Sequence, residues 1–347
     1  MLACWSMGGL EWDLFFVLSG FLITGILIDS RDTPHYFRNF YIRRALRIWP
    51  LYYVVLTFIL LLTSLLTNSG SQPAGHTWPY FYFYIQNLIP HLTIPYGLEP
   101  TWSLAIEEQF YMTWPLLVLL LKRRPLAILL VCFILLSVTL RIIGYEGYEH
   151  DASLKFIHTF TFCRLDAISM GSLAAIWFRS EARTTTLWRR QSHLCILIGL
   201  IGVVLARVLF HQESTVVSYA FIAIGFAGVL GLALASSTDA SLSGRLLSIS
   251  SLRYTGRISY GLYLMHMPSF LMVTDIMHSR RIGIDSPILS NMFGALVQFT
   301  IVFAVASLSW RLLETPILRL KSYFPSGSSF HWPTQQKPPM QDSAVTR

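Results

Sequence analysis

Charge is what this chain has least of. Asp, Glu, Lys and Arg make up 13% of its 347 residues against 54% hydrophobic, and the mean hydropathy is +0.53. A soluble chain of this length would carry more charge, so a water-exposed enzyme is excluded and a membrane protein is expected. Cysteine is also scarce. Cys4, Cys132, Cys163 and Cys195 are scattered and mostly fall in apolar runs, which leaves neither a disulfide framework nor zinc-ligand spacing, and no metal site is expected. No internal repeat, soluble catalytic domain or basic secretory n-region is visible. The stretch 68–100 holds no Lys or Arg at all. The net charge of +8 is instead collected in loops between apolar runs, a positive-inside pattern rather than a nucleic-acid surface.

Nine crossing helices are expected, near 12–29, 48–67, 101–121, 126–143, 154–178, 192–210, 215–235, 258–277 and 289–313. The aromatic segment 78–89, bracketed by Pro79 and Pro90, is short, and charge decides its reading. Taking 30–47, with its five arginines and one acid, as cytoplasmic, a non-crossing 78–89 keeps 122–125, 179–190 and 236–257 cytoplasmic too. The segment is therefore predicted to be re-entrant or interfacial, leaving only Arg280 and Arg281 on the wrong side. Parity then puts the N-terminus outside and the C-terminus in the cytoplasm. The Pro-, Ser- and Gln-rich stretch 321–347 has too little apolar surface to fold and is expected to be a disordered cytoplasmic tail behind a 1–320 membrane domain.

Three constellations carry candidate chemistry. Glu107 and Glu108 lie in an otherwise lipid-soluble span, where a carboxylate costs several kcal/mol unless it meets a partner or a wet cleft. Ser103 shares the Glu107 face at i, i+4, Trp102 belongs near the outer interface, and Glu107 falls about 9 Å below the outer helix end. The alternative is structural pairing of Glu107 with intramembrane Arg164 or Arg207. On the inner side, Arg44 and Arg47 are three apart, share one side of a helical turn and are suited to grip a phosphate just before Pro50, which fits a first turn. Here the alternative is an anchor on anionic head groups. Ser259, Tyr263 and His266 follow i, i+4, i+7 and line one stripe of a later span, with Pro268 expected to kink it. Histidine is the usual base near neutral pH, though a lone helical histidine also serves as a hydrogen-bonded packing residue. Asp166 and Arg164 are two apart, cannot face each other and each need a partner elsewhere. Gly225, Gly228 and Gly231 mark close helix packing.

With these residues laid out, the chain resembles the acyltransferase 3 family of integral membrane O-acyltransferases. Six segments match in order: Gly8 to Thr24 with Ser19, Gly20 and Phe21; Tyr41 to Pro50; Trp102 to Tyr111; Phe162 to Gly171; Ile258 to His266; and Leu313 to Pro316 with Glu314. The resemblance implies an all-α polytopic bundle, usually of ten spans, that moves an acyl group, often acetyl, from cytoplasmic acyl-CoA to a carbohydrate hydroxyl at the cell surface or on a lipid carrier. It implies no bound cofactor, a plasma (inner) membrane location, and partners limited to acyl-CoA (acetyl-CoA), carbohydrate and lipid. Arg44 and Arg47 take the family's R-x-x-R position near the donor phosphates, and Glu107 takes its acidic position after Trp-Ser-Leu. The family's opening span, with an arginine and a histidine about ten residues on, has no counterpart here. An N-terminally incomplete domain is thus expected, with Glu107 and His266 as the remaining candidate catalytic residues and neither assigned the missing histidine's role. The competing readings are a transporter or flippase of lipid-linked sugars and a non-catalytic membrane partner.

Overall fold

A backbone surrounded by hydrocarbon has only itself to hydrogen-bond to, and the chain answers with helices throughout. The computed structural model describes residues 9–66, 74–89, 92, 94–95, 97–147, 150–179, 185–210, 214–236, 249–279 and 287–325, and no strand occurs among them. The helices are α1 (Gly9–Asp29), α2 (Tyr36–Leu66), α3 (Ala74–Tyr82), α4 (Thr101–Leu120), α5 (Arg123–Gly147) and α6 (His150–Thr159). They continue with α7 (Thr161–Phe178), α8 (Thr185–Phe210), α9 (Thr215–Ser236), α10 (Ser250–Ser279), α11 (Pro287–Ser309) and α12 (Thr315–Arg319). A π-helical turn at Trp310–Glu314 joins α11 to α12, and a 3-10 turn follows at Leu320–Tyr323.

Six helical stretches among the described residues are long and apolar enough to cross a membrane: Trp12–Asp29, Tyr36–Thr63, Arg123–Glu146, Thr186–Phe210, Thr215–Ala235 and Leu289–Tyr323. Three expected spans fall short of that measure for a common reason: they carry the polar side chains of the interior. α4 holds Glu107 and Glu108, α7 holds Arg164 and Asp166, and α10 holds Ser259, Tyr263 and His266. The expected single helix 154–178 is in fact two, broken at Phe160, whose extended backbone (φ −71°, ψ 128°) starts α7. α2 begins twelve residues before the expected start at 48, so Pro50 lies inside the helix and not in its first turn. The nine-residue α3 is about 14 Å long, half of a hydrocarbon core, and ends two residues before Tyr84, which has a left-handed φ of 54°. Outward-facing Leu197, Leu200, Val204 and Val208 of α8 present apolar surface to lipid.

Packing around the polar interior is tight. α1 crosses α7 so closely that a Cβ at Gly20 would overlap the Ile168 carbonyl, and one at Gly171 would overlap the Val17 carbonyl. The Ser19-Gly20-Phe21 segment lies within the unbroken helix α1 at this crossing, and Phe21 packs edge-on against Phe178 at 5.9 Å. Next to it Thr24 Oγ1 donates to Ser172 Oγ (2.8 Å) and accepts from Trp114 Nε1 (2.8 Å). The predicted glycine packing holds on α9, where Gly228 and Gly231 lie against Ser192 of α8. α2 runs antiparallel to α4: the Tyr36 hydroxyl donates to the Pro115 carbonyl (3.1 Å), Tyr41 to Met112 (2.8 Å), and Trp49 Nε1 to Glu108 Oε2 (3.2 Å). α10 runs unbroken through Pro268, whose ring lies against Gly97 (φ 89°).

The ordered unit extends past the expected boundary at 320. Residues 320–323 form a 3-10 turn, and Phe324 and Pro325 dock on α2 through their carbonyls. The remainder of the expected tail lies outside the described residues.

Candidate active site

α4 is buried on nearly every side, and its two glutamates, 100° apart on the helix, face different partners. Glu107 (2% exposed) lies beside the Ser19 and Tyr111 hydroxyls, and no ion pair joins it to an arginine among the described residues. Ser19 and Tyr111 also hydrogen-bond to each other, tying α1 to α4. Arg44 lies over the Tyr111 ring, 5.4 Å from its centroid. Glu108 accepts the Trp49 indole. Oε1 of each glutamate is buried with no hydrogen-bond partner among the described residues and keeps its acceptor capacity.

Arg44 and Arg47 meet different side chains of the protein. Arg47 turns to the other side of α2, where Nη1 stands 3.8 Å from Glu314 Oε2, Nη2 donates to the Arg257 carbonyl (3.3 Å), and the guanidinium covers the Trp310 ring at 5.4 Å. The π-helical turn of Trp310–Glu314 presents that carboxylate, a local irregularity common at functional sites. The two arginines are reunited by a cavity of about 190 Å³ at the end of the bundle where α1 hands over to α2. Arg43, Arg44, Arg47 and Lys321 line it, together with uncharged side chains that include Ser30 and Asn39. Arg44 thus belongs to the cavity and to the glutamate cluster at once, although the sequence places these at opposite ends of the bundle.

The α10 stripe contributes one contact to α4. The Tyr263 hydroxyl reaches Ser103 Oγ at 2.5 Å and the Pro100 carbonyl at 2.7 Å, one turn from Glu107, and its ring stacks on Phe15 at 6.0 Å. His266 Nδ1–H donates to the Tyr263 carbonyl, which leaves Nε2 as the acceptor nitrogen. No contact among the described residues joins His266 to Glu107. Ser259 is exposed and bonds within its own helix to Gly256.

Arg164 and Asp166 each find the distant partner their spacing demands. Arg164 Nη2 meets Asp13 Oδ1 at 2.6 Å, Arg141 Nη2 meets Asp166 Oδ2 at 2.7 Å, and all four side chains are buried. The structural pairing considered for Glu107 is therefore not realised: Arg164 serves Asp13, and Arg207 is exposed. Removing one partner strands a buried charge, so Arg164→Ala is expected to cost roughly 3–5 kcal/mol, and Asp13→Leu with Arg164→Met together less than either alone. Thermal unfolding in detergent decides this, and equal midpoints for wild type and Arg164→Ala would refute it. Beside these pairs His158, bonded through Nδ1 to the Tyr219 hydroxyl (2.9 Å), packs on Trp102 at 4.7 Å and Trp12 at 4.9 Å.

Sequence reasoning missed Tyr111, Trp49, Arg43 and Lys321. Tyr111 was within reach, since it stands at i+4 from Glu107 on the same helix face. Nothing local marks the other three.

Apolar helices around a charged, partly unsatisfied interior define a multi-pass membrane protein with a polar site inside the bundle. The chain belongs to the acyltransferase 3 family, whose acyltransferase domain matches residues 7–311. It is 31% identical over 337 residues to the peptidoglycan O-acetyltransferase OatA of Listeria monocytogenes, covering 90% of this chain and 52% of that protein. The O-acetyltransferase OatA of Staphylococcus aureus is 31% identical over 334 residues, covering 91% and 53%. The chain spans about half the length of these curated relatives. No solved structure matches it.

Proposed function

We propose that this chain is the membrane part of an O-acyltransferase that moves an acyl group, acetyl in the simplest case, from cytoplasmic acyl-CoA to a carbohydrate hydroxyl outside, with peptidoglycan the acceptor the relatives favour. The observation that carries the reading is the double placement of Arg44, which lines the cationic cavity and also covers the ring of Tyr111 on the helix that bears Glu107. Arg44 and Arg47 hold the donor's phosphates with fixed guanidinium forks. The acceptor oxygen bonds to the acyl carbon, the carbon–sulfur bond breaks, the hydroxyl proton passes to a base and the thiolate leaves on the coenzyme. Glu107 accepts a hydrogen bond from the acceptor hydroxyl and orients it. In the Ser19–Tyr111 pair, the hydroxyl whose proton is not used in their mutual bond donates toward the thioester oxygen as charge develops there, a role that favours a preorganised donor. Tyr263 and His266 line the acceptor's approach along α10.

The test uses membranes holding the protein, labelled acetyl-CoA and peptidoglycan fragments, with base-labile label in the glycan as readout. Glu107→Gln is expected to bind donor normally and transfer roughly 10- to 100-fold more slowly, the loss of one hydrogen bond to a charged group. Transfer at the wild-type rate by Glu107→Gln, or glycan movement across the membrane that needs no acyl-CoA, refutes the proposal.

A further inference from the structure

We infer that the strap Leu320–Pro325 is a wall of the cationic cavity and that Lys321 is a further phosphate-binding residue, so that the chain's own C-terminal segment completes the donor site. The inference rests on the donor reading above. It concerns residues beyond the matched family domain, which ends at 311.

α2 holds the strap at three positions on one side of its first two turns. Arg38 covers the Phe324 ring at 5.6 Å, Asn39 Nδ2 donates to the Pro325 carbonyl (2.9 Å), and Arg43 Nη1 donates to the carbonyls of Lys321 (3.2 Å) and Phe324 (2.9 Å). Carbonyls fix the strap without neutralising anything. The result is that Lys321 is carried to the cavity wall while Arg43 is left without an acidic partner among the described residues, and Lys321 lines the same cavity as Arg43, Arg44 and Arg47. No acidic side chain is among the residues lining the cavity, and among the described residues Arg47 alone of the four cations is in an ion pair. Cations drawn together repel, and a polyvalent anion seated between them relieves that repulsion. A second observation narrows the ligand. Asn39 Oδ1, buried in the same cavity, has no hydrogen-bond partner, so an occupant that offers an N–H or O–H beside its phosphates satisfies both demands, as coenzyme A does.

The experiment measures coenzyme A and inorganic pyrophosphate binding by calorimetry on the purified protein in lipid nanodiscs, alongside the transfer assay. Lys321→Gln is expected to weaken coenzyme A binding about tenfold and raise the KM for acetyl-CoA equally, with kcat within about twofold. Lys321→Arg, which keeps the charge, should stay within about twofold of wild type on both readouts. Coenzyme A binding by Lys321→Gln within twofold of wild type, while Arg44→Ala is impaired, overturns the strap's role and leaves the donor reading standing. Absence of any coenzyme A binding to the wild-type protein overturns both. Phosphatidylcholine and phosphatidylglycerol nanodiscs separate the two sources of phosphate. An effect of Lys321→Gln present only in the anionic lipid assigns the lysine to head groups and also overturns the inference.

Discussion

Arg44→Ala is expected to reduce acyl transfer about a thousandfold at matched protein levels. Two losses combine. The donor forfeits a charge-assisted contact worth roughly 1.5–3 kcal/mol. Tyr111, one turn from Glu107, also forfeits the guanidinium that covers its ring, a desolvated cation–π contact worth up to about 2 kcal/mol. Together these come to about 4 kcal/mol, the thousandfold stated. Arg44→Lys restores a point charge without the planar fork, and without the stacking of a guanidinium on the Tyr111 ring, and is expected to recover less than a tenth of the activity. The labelled-acetate assay decides it. Retention of more than a tenth of wild-type transfer by Arg44→Ala would show that donor grip and glutamate cluster are not joined through this residue.

Gly171→Val is expected to abolish folded protein. Its added carbons point into the Val17 carbonyl of α1, a backbone atom that cannot rotate away as a side chain would. α1 and α7 must then separate, and their separation breaks the Asp13–Arg164 pair, the Thr24–Ser172 hydrogen bond and the two-pronged Arg179–Asp29 contact (2.7 Å on each prong). Each buried pair broken costs several kcal/mol, against a total stability of about 5–15 kcal/mol. Gly256 provides the control, since a Cβ there meets nothing within 4 Å. Gly256→Ala in the same kind of helix should be neutral or stabilising by about 0.5–1 kcal/mol. Size-exclusion profiles of detergent extracts separate the cases. A monodisperse Gly171→Val protein with the wild-type melting midpoint would refute the crossing geometry.

Much of this was legible in sequence. Scarce charge and long apolar runs predicted a helical membrane protein, and intramembrane Glu107, Arg164 and Asp166 announced a polar interior. The two-residue spacing of Arg164 and Asp166 already required distant partners, which Asp13 and Arg141 supply. The strap at 320–325 was not legible, because its composition resembles a tail and what orders it is three side chains of α2. The break at Phe160 was hidden for a similar reason: hydropathy sums along the chain and passes over one extended residue.

The sequence by itself determined helix content, membrane residence, the family and which side chains bear chemistry, since apolarity, periodicity and residue type are local properties that a window of the chain contains in full. Only the tertiary structure decided who meets whom: Arg164 with Asp13 across 151 positions, Asn39 with Pro325 across 286, and Arg44 with both the cationic cavity and Tyr111. Those meetings follow from how closely glycine lets two helices approach and how far α2 runs before its first apolar turn, and neither is settled until the whole bundle packs.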